Sequence, residues 1–110
     1  LPEKFLLYFE PGRALLNADS QRTLRTVLER AKNFTHLEVA VTGHTDSKGD
    51  AIANKALGLK RAGQIAEMLK SAGLRPKGIE VASEGERHPL VPTPDETSEP
   101  RNRRVEVVLR

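Results

Sequence analysis

A carboxylate at Asp46, a carboxamide at Asn54 and a guanidinium at Arg61 fall inside one segment, Gly43 to Ala62, GHTDSKGDAIANKALGLKRA. Recognition of a zwitterion is the chemistry that such a set permits. An arginine offers a planar fork that meets a carboxylate through two parallel hydrogen bonds, and an aspartate accepts from an ammonium group. Each charge-assisted bond of this kind contributes about 1.5–3 kcal/mol before desolvation. On an α-helix, positions seven apart differ by only about 20° around the axis, so Asn54 and Arg61 point the same way. Gly58 shares their stripe, where a missing side chain lets a ligand or a loop come close to the helix backbone. A helical glycine costs ~1 kcal/mol relative to alanine, which some contact has to offset. The competing reading makes Asp46 a turn or capping residue and Arg61 a solvated helix arginine, and spacing alone does not choose between them.

Other chemistries find less support. His44 and Asp46, with His36 or His88, are metal-ligand types, but their spacing matches no zinc motif. There is no nucleophile elbow and no glycine-rich phosphate loop. The expectation is therefore a binding module with no catalytic residues, no metal and no cofactor. The chain has no cysteine, which excludes disulfides and thiolate metal sites. Its 18 Lys and Arg against 15 Asp and Glu give a net charge of +3, and the acids are scattered among the bases instead of leaving a basic stripe. That distribution argues against nucleic acid as the partner.

The elements that must position the segment can be read from periodicity and punctuation. Phe5 to Phe9 is an apolar run closed by Pro11-Gly12, the pattern of a buried strand. Asn17 or Asp19 can cap a helix whose apolar positions are Leu24, Val27, Leu28 and Ala31. Leu37 to Thr42 alternates as a strand and ends at Gly43. Asp50 can cap a long second helix running to about Ala72, with Ile52, Leu59, Ala62, Ala66 and Leu69 among its apolar positions, and Gly73 with Pro76 stops it. Ile79 to Ser83 and Val105 to Leu109 read as two further strands. Between them, His88 to Pro100 carries four prolines and three acids, the composition of an exposed loop with at most one helical turn.

This order, β-α-β-α-β-β, predicts an α/β (α+β) two-layer sandwich: a mixed four-stranded sheet with both helices on one face. Strands joined through a helix run parallel, and the last strand adds antiparallel. The 110 residues are one domain, and 37% hydrophobic content with 4% aromatic requires an aliphatic core in which Phe5, Phe9 and Phe34 are the bulky fillers. No stretch is long or apolar enough to span a membrane as a helix. The chain opens almost directly on a strand, which suggests a piece cut from a larger protein.

Gly-His-Thr-Asp at 43–46, Gly49, Asn54, Leu57, Arg61-Ala62 and Asn102-Arg103-Arg104-Val105-Glu106 closely resemble the OmpA-like C-terminal domain family, over essentially the whole chain. That resemblance implies a non-enzymatic domain that binds peptidoglycan through the diaminopimelate of the stem peptide. It implies that Asp46 holds the diaminopimelate amine, Arg61 its carboxylate, and Thr45 and Asn54 the rest of the polar lining. Phe9-Glu10 is similar to the Phe-Asp or Phe-Asn pair bordering the same pocket. Glu10 departs from the shorter side chain, harmlessly if the position acts through its backbone and consequentially if through its side chain. Adjacent strand residues point to opposite faces, so of Arg103 and Arg104 one can reach the ligand while the other lies at the surface, a mainly structural pair. His36 and His88 read as surface residues and His44 as a turn residue bonded to nearby backbone. The resemblance places the domain on the periplasmic face of a Gram-negative envelope, tied to a membrane only through the rest of its parent protein. It also allows envelope protein partners, with the proline-rich loop as their contact surface and wall binding weak or lost.

Overall fold

The computed structural model describes residues 1–87 and 89–110, so the reading of His88 lies outside the described residues. Strand β1 (Glu3–Tyr8), helix α1 (Ala18–Ala31), strand β2 (Glu38–His44), helix α2 (Ala51–Ser71), strand β3 (Gly78–Gly85) and strand β4 (Arg104–Leu109) follow in turn, with a 3₁₀ turn, Pro100–Asn102, before the last strand. The sheet order is β1-β4-β2-β3. β2 and β3 are parallel, as a helical crossover demands, and β4 is antiparallel to both of its neighbours. The last strand is thus inserted at the centre, separating β1 from β2. Its alternation explains the place: Val105, Val107 and Leu109 are wholly buried, and a central strand has both edges hydrogen-bonded.

Those three residues meet Leu7 of β1, Val39 and Val41 of β2, and Val27, Ile65 and Leu69 from the helices in one aliphatic core. Each such side chain contributes about 1.5–3 kcal/mol on burial. Phe9 is buried, while Phe5 and Phe34 pack half-buried against the core. Phe9 lies just beyond β1, bridged to Leu16.

Both helix starts carry a side-chain cap that satisfies an otherwise unpaired amide. Asn17 Oδ1 accepts from the Ser20 N–H at 2.9 Å, and Asp50 Oδ2 from the Ala53 N–H at 2.9 Å. The buried stripe of α2 is Asn54, Gly58, Arg61, Ala62, Ile65, Ala66 and Leu69. Ile52 and Leu59 do not belong to it, contrary to expectation, for they are 82% and 50% exposed. Ile52 lies two positions before Asn54 and Leu59 one after Gly58, which at helical pitch turns both away from the sheet.

Gly58 also differs from its reading. What approaches the helix there is the sheet, not a ligand or a loop. A Cβ on Gly43 would overlap the Gly58 carbonyl oxygen, and a Cβ on Gly58 would meet the Ser83 hydroxyl. Two bare backbones are therefore pressed together, and this contact sets how deeply the first turns of α2 sit on the end of β2.

Candidate binding site

The site forms where β2 runs out. His44 ends the strand, Thr45 to Asp50 make the turn, and Gly49 takes a φ of 93° that L side chains rarely adopt. Asn54, in the first turns of α2, reaches back to hold this turn: its Nδ2 donates to the Asp46 carbonyl at 3.3 Å and to the Lys48 carbonyl at 3.1 Å. Its carboxamide therefore shapes the loop that presents Asp46. The Asp46 carboxylate is itself fixed. Oδ1 accepts from the Lys48 N–H at 3.3 Å, and Oδ2 from the Glu99 N–H at 3.1 Å and from Arg103 Nη1 at 2.9 Å.

Arg61 is wholly buried. Nε donates to the Arg13 carbonyl at 3.0 Å, Nη1 to that of His44 at 3.2 Å and Nη2 to that of Glu10 at 3.1 Å. The guanidinium also lies over the Phe9 ring, 5.1 Å from its centroid, a cation–π contact. Burial, then repulsion from Arg103, pull its pKa down to about 10 against the pull of Asp46, so it stays charged at neutral pH. Three of its five N–H groups are used among the described residues, leaving one on each terminal nitrogen.

A cavity of about 280 Å³ lies over this arrangement, lined by Thr45, Asp46, Lys48, Asn54, Leu57 and Arg61 together with Pro11, Gly12, Ser98 and Arg103. Four of the six expected site residues, Thr45, Asp46, Asn54 and Arg61, converge on it. Phe9 and Glu10 line a neighbouring cleft with Arg103. Phe9 acts as the floor beneath Arg61 and Glu10 through its carbonyl, so the longer Glu10 side chain leaves that contact untouched. Thr45 Oγ1 is buried with no hydrogen-bond partner among the described residues.

Arg103 is the residue that sequence reasoning underrated. It is buried, and besides Asp46 its Nη1 meets Ser98 Oγ at 3.1 Å while Nε meets the Phe9 carbonyl at 3.3 Å. Arg104 is not at the surface either. It is buried and pairs with Glu106, Nη2 to Oε2 at 2.7 Å. Alternation had implied opposite faces for the two arginines, and both faces turn out to be covered. His44 belongs to that second cluster, its Nε2 3.5 Å from Glu106 Oε2, and is a buried strand residue rather than a turn residue. His36 is exposed, as expected. Among the described residues no cluster of three metal-ligating side chains occurs, and no helix is long and apolar enough to cross a membrane.

The loop before β4 does more than fill space. Ser47 Oγ donates to the Pro94 carbonyl at 2.8 Å and accepts from the Thr97 N–H at 3.0 Å, and the Glu96 N–H donates to the Ser47 carbonyl at 3.0 Å. These bonds staple the loop to the Asp46 turn, so Ser98 and Glu99 become part of the site. Proline content had marked the loop as exposed, and nothing local announced Ser47 as its anchor.

In fold, the chain is similar to the peptidoglycan-associated lipoprotein of Burkholderia pseudomallei, with a TM-score of 0.82 at 28% identity over 96% of this chain and 89% of that one. It is also similar to the C-terminal domain of Helicobacter pylori MotB, with a TM-score of 0.81 at 20% identity over 96% and 84%, a likeness of fold alone. In sequence it is 40% identical over 107 residues to a peptidoglycan-associated lipoprotein of Legionella pneumophila, covering 97% of this chain and 61% of that protein. It is 35% identical over 115 residues to an outer membrane protein of Gluconacetobacter diazotrophicus, covering 96% and 29%. The chain thus spans less than two thirds of the length of either relative. Residues 8–103 match the model of the OmpA family, and with the HTD turn, the buried helix arginine and the mixed sheet all in place, the chain belongs to that family.

Proposed function

We propose that this domain binds peptidoglycan without cleaving it. In this reading diaminopimelate of a stem peptide lies between Asp46 and Arg61, and a larger envelope protein is thereby anchored to the wall from the periplasmic side. Relatives that carry the same domain are peptidoglycan-associated lipoproteins, and the domain is a binding module, not an enzyme. The observation that carries the reading is Arg61, a wholly buried guanidinium bonded to three carbonyls and to no carboxylate among the described residues. A buried cation lacking a counterion is costly. The carboxylate of an amino-acid head supplies the counterion through the two N–H groups still open, and its ammonium reaches Asp46. Thr45 and Asn54 complete the lining, and Phe9 and Glu10 support Arg61 from below.

Calorimetric titration with a diaminopimelate-containing muropeptide tests this. Binding heat is expected for the native chain, and Asp46→Ala and Arg61→Ala are expected to weaken affinity at least about tenfold in samples that circular dichroism shows folded. Undiminished binding in both variants would sink the assignment. A lysine-type muropeptide lacks the carboxylate beside the side-chain amine, so equal affinity for it would overturn the role of Arg61.

A further inference from the structure

The charges around the pocket do not balance. Lys48, Arg61 and Arg103 line it as cations, and Asp46 is the one acid in the lining. Asp46 is already matched by Arg103. Two acids of the adjoining loop stay outside the lining: Glu96 is held by the Gly49 N–H at 3.2 Å and Glu99 by Arg101 at 3.0 Å. A zwitterionic head adds one ammonium and one carboxylate, which leaves the cationic excess as it was. Arg61 and Arg103 are near enough in this site for the charge of one to disfavour that of the other, and a second anion relieves that repulsion.

Donors for a second anion are present. Arg103 commits Nε and Nη1 to Phe9, Asp46 and Ser98, and its Nη2 makes no bond among the described residues. Lys48 is exposed at the same cavity. Thr45, also in the lining, keeps a buried hydroxyl with no partner among the described residues. We infer that Lys48 and the open edge of Arg103 form a second anion subsite, which takes a further carboxylate of the same ligand. The domain then selects stem peptides whose glutamyl α-carboxylate is free over those in which it is amidated. This rests on the pocket reading above and adds to it a requirement on the neighbouring residue of the stem.

The test uses two tripeptides, alanyl-γ-glutamyl-diaminopimelate with the glutamyl α-carboxyl free or amidated, titrated into the intact chain and into Lys48→Ala. The free form is expected to bind about tenfold more tightly, and Lys48→Ala, an exposed change that leaves the melting temperature in place, is expected to shrink that ratio below about threefold. Equal affinity for the two peptides, with binding still lost in Asp46→Ala, overturns the subsite and leaves the pocket reading standing. A ratio untouched by Lys48→Ala overturns the subsite as located. Failure of both peptides to bind sinks both readings together.

Discussion

Arg61 has two roles that a single substitution can separate. Its three carbonyl bonds tie the turn after β1, through Glu10 and Arg13, to the end of β2 at His44, and the same side chain lines the pocket. Arg61→Lys keeps the charge but replaces a rigid fork with one nitrogen, which cannot reach three carbonyls lying in different directions. Charge-assisted hydrogen bonds contribute about 1.5–3 kcal/mol each, so the variant is expected to lose about 2–3 kcal/mol of stability. The loss is read as a lower urea midpoint at an unchanged slope. A midpoint equal to that of the parent chain would reduce the carbonyl bonds to bystanders. How much of this was legible varies from residue to residue. Helical period placed Arg61 and Asn54 on one face, because that relation is local. It did not reveal that Asn54 spends its amide on the loop backbone. Nor did it reveal that Arg103 closes on Asp46, since those partners are 57 positions apart and adjacent arginines at a strand entrance give no sign of which one turns inward.

At the scale of elements, the site depends on how closely α2 sits on β2, and the Gly43–Gly58 contact sets that distance. The two glycines are not equivalent. A methyl group at Gly43 meets the carbonyl of Gly58, which belongs to a helix backbone that cannot step aside without moving the whole first half of α2. A methyl at Gly58 chiefly meets the Ser83 hydroxyl, a side-chain atom that can rotate, at the expense of its 2.7 Å bond to the Lys55 carbonyl. Alanine at Gly58 also regains about 1 kcal/mol of helix propensity. Gly43→Ala is therefore expected to cost at least about 3 kcal/mol or to prevent folding, in the range of overpacked backbones, and Gly58→Ala only about 1 kcal/mol. Denaturant unfolding of the two variants decides it, and a greater loss at Gly58 would contradict the packing described. Helix caps and strand alternation were readable because their signals lie within a few residues. The central position of β4 was not, for antiparallel insertion between two remote strands leaves no local mark beyond the alternation of Val105, Val107 and Leu109.

For the molecule as a whole, the pocket occupies one end of the sheet, where β1 and β2 finish and β4 begins, and the covered surface beyond Arg104 adds a proton-sensitive term to global stability. His44 is buried between Arg104 and Glu106 at that end. Burial first, and then the charge of Arg104, hold its pKa below the ordinary 6.5, with Glu106 opposing them only in part. The unfolded chain thus binds a proton at a pH where the folded one does not, so stability rises with pH across this window and falls as pH drops below about 6.5. Glu106 acts in a different range. Burial alone would raise its pKa, but Lys4 and Arg104 outweigh it and hold the carboxyl below its usual value. Its contribution is present above 4.5 and is lost only in stronger acid, which leaves pH 5 to 6.5 to histidine. One proton limits the slope there to about 1.4 kcal/mol per pH unit. Melting temperatures followed from about pH 7.5 to pH 5 are expected to decline in the parent chain below pH 6.5 and to run flatter in His44→Gln, whose amide carries no charge at either end. Because the His44 carbonyl accepts from Arg61, loosening at low pH should reach the pocket as well, and ligand affinity is expected to fall over the same window in the parent and not in the variant. Parallel melting curves for the two proteins would remove His44 as the source of the acid sensitivity.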